Sequence, residues 1–312
     1  MNKIAVLGAN PAWQKTLSFT DFGCSKVNRA VSVEQFASGK GINFCRAVRS
    51  AGTADVILMQ FAGGENGRKL ITALDELGIE HATAHTCTET RCCITILNRA
   101  DNSTTECIEP SYTVTEAEIN DLTAQAEKII PQCRAVAICG TLPGDTDGKV
   151  YFYITEIAAK YGIPVLVDAC KNIEWIWQSD AEINLKINKD ELFSLSGKSE
   201  ITEAFKHLFE LHGSLKTVAV TDGPDTAFAS DGKNIVSYRL PELKNIVSTL
   251  GCGDTASAIY TSNLINEVDY ILAFKKALAA ASANCLSFLC GKFNPNDAVN
   301  IESKIKVDLR KI

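Results

Sequence analysis

The chain has 312 residues, of which 46% are apolar and 22% are charged, so it can bury a large hydrophobic core and is not disordered. Its net charge of -6 argues against a nucleic acid or an anionic membrane as a partner, because both are usually bound by excess lysine and arginine. Any anionic ligand must therefore be held by a few lysine or arginine side chains at specific positions.

The first residues and the cysteines indicate the compartment. Residues 1–8 lack the charged, apolar and small segments of a signal peptide. The 12 cysteines are scattered through apolar segments, where a reduced thiol acts as a small hydrophobic group, and they include no paired Cys-x-x-Cys. We expect a cytoplasmic protein with reduced cysteines and no structural metal site.

Short β-branched runs alternate with amphipathic stretches along the chain. In chain order the pattern predicts strands or helices at residues 3–8 (strand), 56–61 (strand), 65–77 (helix), 115–130 (helix), 135–139 (strand), 148–161 (helix), 164–168 (strand), 182–187 (strand), 201–212 (helix) and 217–221 (strand). Most of the strands are apolar throughout, which is typical of parallel strands covered on both faces. We therefore predict an α/β fold with a three-layer, doubly wound, mostly parallel sheet, which binds ligands at the carboxyl ends of its strands.

Two regions, residues 14–36 and 91–108, have a different pattern in which polar and apolar residues alternate with a period of two. This alternation predicts half-exposed strands of a separate small sheet, which would be a lid inserted into one domain spanning residues 1–312. The longest apolar run, residues 277–290, is shorter than the roughly 20 residues that cross a bilayer, and it predicts a buried helix.

The strongest local motif is Gly251-Cys252-Gly253-Asp254, directly before an apolar helical segment. Two glycines separated by one residue allow a sharp turn that points successive amides at an anion. The same motif also fits a simple turn followed by an acidic residue at the positive end of a helix. The motif alone does not decide between an anion site and a helix cap.

Two further motifs lie near predicted helix starts, and the first of them strengthens the anion-binding interpretation. Gly39 and Lys40 also precede a helical segment, predicted from Phe44, and would form a second site for an anion. Asn43 would bind a sugar hydroxyl or cap that helix. Asn188 and Glu191 follow a predicted strand, and their spacing alone favours an ordinary capping box.

The motifs together resemble the pfkB family of carbohydrate kinases, within the ribokinase-like superfamily. Eight segments occur in the family's order over essentially the full length: Asn10-Pro11-Ala12, Val27-Asn28-Arg29, Gly39-Lys40-Gly41-Ile42-Asn43, Gly63-Gly64-Glu65-Asn66-Gly67, Thr90-Arg91, Gly140-Thr141-Leu142-Pro143, Asn188-x-x-Glu191 and Gly251-x-Gly253-Asp254. The early Asn-Pro-Ala and the Thr-Arg pair resemble the branch that phosphorylates sugar phosphates, which includes 1-phosphofructokinase and tagatose-6-phosphate kinase.

The resemblance implies an ATP- and Mg²⁺-dependent sugar kinase. Asp254 matches the family's catalytic base, and the amides of Gly251, Cys252 and Gly253 match its anion hole. Among the residues implied to bind ATP or Mg²⁺, Glu191 would hold the ion through water, and the others are Asn188, Thr221, Gly223 and Asn284. Asp222 departs from the family, since an uncharged residue is usual there and a carboxylate would repel the phosphates unless it pointed away.

The acceptor would be held by Gly39, Lys40, Asn43 and Arg91, with the two cations on its phosphate. The chain departs from the branch at Gln14, where an aspartate usually accepts hydrogen bonds from the acceptor hydroxyls. An amide both donates and accepts, so we expect a different preference among hydroxyl arrangements.

The sequence also fits two other functions. One is a kinase of an unphosphorylated sugar or a nucleoside, which needs no Arg91, and the other is a non-catalytic sugar-phosphate or nucleotide sensor. A P-loop kinase is excluded because the sequence lacks Gly-x-x-x-x-Gly-Lys-Ser/Thr. We also expect a homodimer formed through the lid, because an isolated small sheet with open edges tends to associate.

Overall fold

The computed structural model describes residues 2–144 and 146–311. The elements in chain order are β1 (Lys3–Leu7), β2 (Ala12–Phe19), β3 (Ser32–Ser38), α1 (Lys40–Ala51), β4 (Asp55–Gly63), α2 (Gly64–Glu76), β5 (Glu80–Thr86), β6 (Cys92–Asn98), β7 (Ser103–Ile108), α3 (Glu116–Ile129), β8 (Ala135–Cys139), α4 (Lys149–Lys160), β9 (Val165–Asp168), β10 (Ile183–Asn188), α5 (Lys189–Ser196), α6 (Ile201–Leu211), β11 (Leu215–Asp222), β12 (Thr226–Ser230), β13 (Asn234–Arg239), α7 (Cys252–Leu264), α8 (Tyr270–Asn284), α9 (Pro295–Glu302) and β14 (Lys306–Lys311). Short 3₁₀ turns occupy Ile130–Gln132 and Ile173–Gln178.

Ten strands form the large sheet, in the order β14-β13-β12-β11-β10-β9-β8-β1-β4-β5. Pairing is parallel from β5 to β11 and antiparallel from β11 to β14. The order reverses beside β1, because β4 and β5 are added on one side of β1 and the next strand of this sheet, β8, is added on the opposite side of β1. Such a reversal opens a crevice at the carboxyl ends of the strands.

Both faces of the large sheet are covered by helices. Along β1, Ile4 and Val6 belong to the core on the side of α1, α7, α8 and α9, whereas Ala5 and Leu7 belong to the core on the side of α3 to α6. A central strand with both faces buried must be apolar at every position, which explains the continuous apolar runs. The predicted three-layer, mostly parallel sheet is confirmed.

The four remaining strands form the small sheet, in the order β3-β2-β6-β7. The central pair β2–β6 is parallel, and the outer pairs are antiparallel. These strands lie in the two regions where the sequence alternates, so the separate small sheet is confirmed. We call these four strands the lid.

Two helix predictions were wrong in their limits. The helix predicted from Phe44 begins at Lys40, because Gly39 adopts a φ of 131° at the N-cap and the helix includes Gly41. Gly41 fits there since its Cα approaches Gly8, where a Cβ would lie only 2.6 Å from the Gly8 Cα. The buried run at 277–290 is helical only as far as the end of α8, after which the chain turns.

Within the described parts of the chain, no helix is long and apolar enough to span a membrane.

Candidate active site

The first turn of α7 carries the Gly251-Cys252-Gly253-Asp254 motif. Gly251 is its N-cap in the left-handed region, at a φ of 74°, and a Cβ there would lie 2.7 Å from the Cβ of Cys290. Only glycine fits this backbone and this space. The amides of Cys252 and Gly253 lie in the first turn, where a helix leaves its N–H groups free for an anion.

Asp254 lies in the same turn and is only 7% exposed. The Nδ2 of Asn43 donates to its Oδ2 at 2.8 Å, and the Nη1 of Arg46 donates to the Oδ1 of Asn43 at 3.1 Å. The Arg46 contact fixes which end of the amide faces Asp254. Because Asn43 lies inside α1, its alternative role as a cap of that helix is wrong.

A second buried carboxylate, Asp168, lies at the carboxyl end of β9. The Nζ of Lys40 donates to its Oδ1 at 3.0 Å, the Nζ of Lys186 lies 3.8 Å from its Oδ2, and the Oγ of Ser257 donates to that Oδ2 at 2.6 Å. Asp168, Lys186 and Ser257 were not predicted as site residues from the sequence. A lysine in an apolar strand was the available signal, since lysine is rarely buried without a partner.

The two carboxylates have opposite pKa shifts. Burial raises the pKa of Asp254 to about 6, and the negative charge of Asp168 adds to that increase. Burial also acts to raise the pKa of Asp168, but its contacts with Lys186, Lys40 and Ser257 outweigh burial and hold it below the ordinary value. Asp168 also raises the pKa of Lys40, which therefore stays charged. The site thus contains one firmly ionised carboxylate and one basic carboxylate.

A cavity of about 270 Å³ lies at the carboxyl ends of β1 and β8, where the strand order reverses. Three cations line it, Lys40, Arg91 and Lys171, and so does the carboxylate of Glu191. The Nη2 of Arg91 donates to the carbonyl oxygen of Asn10 at 3.2 Å, while its Nε is buried without a hydrogen-bond partner. The cavity therefore offers cationic donors to an anion. Gly39, predicted to bind the acceptor, also lines it.

The glycine-rich start of α2 supports Arg91 rather than lining this cavity. The Oγ1 of Thr90 accepts a bond from the amide of Gly63 at 3.0 Å, and the Nδ2 of Asn66 donates to the carbonyl oxygen of Thr90 at 2.9 Å. These contacts fix the backbone just before Arg91, which explains the Gly63-to-Gly67 motif without a ligand.

Gln14 lies on β2 within the lid. Its side chain is buried, and its Nε2 donates to the Oγ1 of Thr95 on the neighbouring β6 at 2.8 Å. The amide is therefore held within the lid by Thr95.

A second cavity, of about 590 Å³, lies at the α7 turn. Its walls are largely apolar, and they include Thr221, Gly223, Leu240, Leu243, Cys252 and Gly253. An apolar cavity of this size that ends at a row of free amides suits a nucleotide. The Nζ of Lys189 donates to the Oδ2 of Asp222 at 2.9 Å. This ion pair compensates the negative charge of Asp222, which would otherwise repel a phosphate.

Asn284 lies beneath the Gly251 turn and is 1% exposed. Its Nδ2 donates to the carbonyl oxygen of Leu250 at 2.9 Å, and its Oδ1 accepts from the amide of Gly291 at 2.8 Å. It does not line the larger cavity. Both ends of the amide hold the turn, and the expected nucleotide contact of Asn284 stays a prediction.

Asn188 and Glu191 form the capping box that their spacing favours. The Oδ1 of Asn188 accepts from the amide of Glu191, and the Oε2 of Glu191 accepts from the amide of Asn188, both at 2.8 Å. Among the residues that the structure describes, no cluster of three His, Cys, Asp or Glu side chains could hold a metal by itself. Glu191 nevertheless lines the smaller cavity, where its carboxylate can act through water.

A further cavity of about 460 Å³, lined by Arg134, Lys216 and Glu267, lies at the amino ends of the strands. We place no active site there, because sheets of this type bind ligands at the opposite ends of the strands. The larger cavity lies at the α7 turn that carries Asp254, and the smaller cavity is lined by Lys40, which contacts the second buried carboxylate, Asp168.

The chain belongs to the pfkB family of carbohydrate kinases, which matches residues 1–297. It is therefore a sugar kinase that transfers a phosphoryl group to a hydroxyl, and kinases of this family use ATP and Mg²⁺.

Solved structures share the fold. Phosphofructokinase-2 from Escherichia coli in complex with fructose-6-phosphate has a TM-score of 0.87 at 24% identity, covering 97% of this chain and 99% of that one. The tetrameric inhibited form of that protein has a TM-score of 0.87 at 23% identity, with the same 97% and 99% coverage. A possible 1-phosphofructokinase from Thermotoga maritima has a TM-score of 0.87 at 18% identity and covers 100% of both chains.

Proposed function

We propose that the protein is an ATP-dependent kinase of a hexose phosphate in which Asp254 is the general base. The observation that supports this most is the position of Asp254, a buried carboxylate with a pKa of about 6 in the α7 turn at the larger cavity, held by Asn43 of the helix whose first residue, Lys40, lines the smaller cavity. A base with this pKa is mostly ionised at neutral pH and still basic enough to accept a proton in the transition state.

The larger cavity is the proposed ATP site. Thr221 and Gly223 line it beside the α7 turn, so a nucleotide there would direct its phosphates at the amides of Cys252 and Gly253. The Nζ of Lys186 supports this placement, since a Cβ on Gly253 would lie 3.1 Å from that nitrogen. A transferring phosphoryl would thus meet two amides and a cation.

The proposed Mg²⁺ site is at Asn188 and Glu191. The capping box uses the single side-chain oxygen of Asn188 and the Oε2 of Glu191, so the Oε1 of Glu191 is left to hold, through water, an ion that keeps several of its waters. When bound, the ion would neutralise charge on the triphosphate.

The smaller cavity is the proposed acceptor site. Arg91, Lys40 and Lys171 supply three cations in a chain whose net charge is negative, and this supports an acceptor that carries a phosphate. Asn43 is placed to orient Asp254 and could reach an acceptor hydroxyl from the same side.

Transfer follows from this arrangement. The Asp254 carboxylate accepts the proton of the acceptor hydroxyl as its oxygen attacks the γ-phosphorus, and the bond to the leaving ADP oxygen breaks. The amides of Cys252 and Gly253 hold the transferring group, and Lys186 stabilises its charge.

ADP release across a panel of hexose phosphates and free sugars tests the acceptor class. We expect turnover with at least one hexose phosphate and much weaker turnover with the matching free sugar. Comparable turnover of the two would contradict a phosphorylated acceptor.

Asp254→Asn tests the base, because the amide keeps the shape of the side chain and loses its basicity. We expect kcat to fall about 10²- to 10⁴-fold, with ATP binding and the melting temperature nearly unchanged. Retention of more than about a tenth of the wild-type kcat would show that another group is the base.

We also propose a homodimer that forms through the lid. Every residue of the edge strand β7 is exposed, including the apolar Ile108. Val33 on β3 is exposed as well, and so are Val27 and Val31 in the segment that joins β2 to β3. An open sheet edge with apolar neighbours favours pairing with a second copy.

A further inference from the structure

Two cysteine sulfurs lie side by side at the α7 turn. Cys252 is the first residue of α7 and Cys285 directly follows α8, and their Sγ atoms are 3.2 Å apart. Both are free thiols that line the larger cavity, so a small oxidant can reach them. Because a disulfide has an S–S distance of about 2.05 Å, the sulfurs need to approach by only about 1 Å. We propose that Cys252 and Cys285 are a site of reversible disulfide formation.

The two sulfurs share a contact in which either can donate its S–H to the other. The contact with Cys285 and burial raise the pKa of the Cys252 thiol, whereas the contact with Cys252 lowers the pKa of the Cys285 thiol. The Sγ of Cys252 also accepts from the Nδ2 of Asn284 at 3.4 Å, and it lies at the positive end of α7. Loss of one proton from the pair therefore leaves a thiolate that is held by the S–H of its neighbour, and either sulfur can be the one that attacks.

The oxidant in this reaction is hydrogen peroxide. The thiolate of the pair attacks one peroxide oxygen, the O–O bond breaks, and the other oxygen leaves as water after taking up a proton, so that the attacking cysteine becomes a sulfenic acid. The second cysteine sulfur then attacks the sulfur of the sulfenic acid, its S–H proton is lost, and the S–O bond breaks to release a second water. Two thiols are oxidised to one disulfide, and one peroxide is reduced to two waters.

The disulfide would displace the α7 turn, which has little room to adjust. Cys290 fills the space beside Gly251, and Asn284 holds both Leu250 and Gly291. Moving Cys252 by about 1 Å would move its amide away from the transferring phosphoryl, and a shift of that size can reduce a rate about 10²-fold. This loss of activity rests on the proposed anion-binding role of the turn, whereas formation of the disulfide does not.

The test treats the reduced full-length protein with hydrogen peroxide and maps its peptides by mass spectrometry without reduction. We expect a linked peptide pair containing Cys252 and Cys285, a loss of kinase activity of tenfold or more, and recovery of both on treatment with dithiothreitol. Prior addition of ADP should slow the linkage, since the sulfurs line the proposed nucleotide cavity.

Variants identify the cysteines, and each is compared with its own reduced form. Cys252→Ala should be insensitive to peroxide, whereas the matched control Cys87→Ala, which removes an exposed cysteine, should remain as sensitive as the wild type. Cys290→Ala should still form the link.

Three results would overturn the proposal: absence of the linked peptide, a link to Cys290 instead, or unchanged sensitivity in Cys252→Ala. A complete link with full activity would contradict the inhibitory effect and the proposed role of the turn. Failure of the kinase proposal is seen separately, as absence of turnover in the reduced protein.

Discussion

At the scale of single residues, Asp254 and Asp168 are two buried carboxylates with unequal environments. Asp168 has contacts with two lysines and a serine, whereas Asp254 accepts from a single amide. The charge on Asp168 therefore makes its neighbour more basic, and the pair divides into a fixed anion and a proton acceptor.

The pH dependence of catalysis should follow Asp254. With its pKa at about 6, kcat/KM should fall as the pH drops below about 6, because the base becomes protonated. Asp168→Asn should move this decline to lower pH, since it removes a negative neighbour and leaves Lys40 and Lys186 to favour the ionised form of Asp254. Rate profiles between pH 4.5 and pH 8 measure the shift.

A melting curve of Asp168→Asn serves as the control, because Lys186 is 4% exposed and loses its partner. A decline of kcat/KM at the same pH as in the wild type, in a folded variant, would contradict the coupling of the two carboxylates.

In the wild type, the raised pKa of Asp254 also predicts how stability depends on pH. The part of the stability that depends on Asp254 is present below pH 4 and is lost as the pH rises through about 6.

Arg91→Ala should raise the KM for a phosphorylated acceptor by about 10- to 150-fold, which corresponds to roughly 1.5 to 3 kcal/mol for a bond to a charged group. The kcat/KM for an unphosphorylated sugar should barely change. Steady-state kinetics on a matched pair of acceptors measures the difference. Equal losses on both would mean that Arg91 acts through the Asn10 contact and supports the structure only.

The sequence identified part of the candidate site because those residues lie within short motifs. Asp254, Asn43 and Lys40 follow or flank glycines that turn the chain into a helix. Asp168 ends the strand β9 and Lys186 lies within β10, both ordinary apolar strands, and their contact depends on the order β9-β10 in the sheet. A single sequence does not record which strands are neighbours, so their contact could not be predicted.

At the scale of elements, the buried parallel strands were predictable and the antiparallel edge was not. The predicted strand at 135–139 coincides with β8, because a strand covered on both faces must be apolar at each position. The edge strand β14 is exposed at every residue and carries three lysine or arginine side chains, so its composition resembles a loop. Its pairing with β13 is what makes it a strand.

Within the lid, Gln14 on β2 and Thr95 on β6 form one hydrogen-bonded pair. Gln14→Asp would replace a donor and acceptor by an acceptor alone and shorten the side chain by one methylene. We expect the wild type to be a poor kinase of fructose 1-phosphate and Gln14→Asp to improve that activity at the expense of the native one.

Gln14→Asn is the matched control, because it shortens the side chain equally and keeps the amide. The kcat/KM for fructose 1-phosphate is measured for all three proteins. A wild-type value of about 10⁴ M⁻¹s⁻¹ or more, which is ordinary for an enzyme, would remove any special role from Gln14.

At the scale of the whole molecule, the lid face should decide the oligomeric state. Val33 lies on the edge strand β3 and is 52% exposed, and Val33→Glu would place a charge in a dimer contact formed there. We expect the wild type to be a dimer at micromolar concentration and Val33→Glu to be largely monomeric by light scattering.

Val299→Glu is the control, since Val299 is 64% exposed on α9 and lies outside the lid. It should remain dimeric. A monomeric wild type, or a dimer that is unaffected by Val33→Glu, would contradict association through this face.

The lid is joined to the large sheet at the residues that would hold the acceptor phosphate. Asn10 lies just before β2 and Arg91 just before β6, and the amide of Trp13 donates to the carbonyl oxygen of Arg91 at 2.9 Å. A phosphate bound there would stabilise the connections near Asn10 and Arg91 that join the lid to the large sheet. The phosphorylated product keeps that phosphate and would stabilise these connections equally well. Lid opening and product release, rather than phosphoryl transfer, should therefore limit the turnover rate.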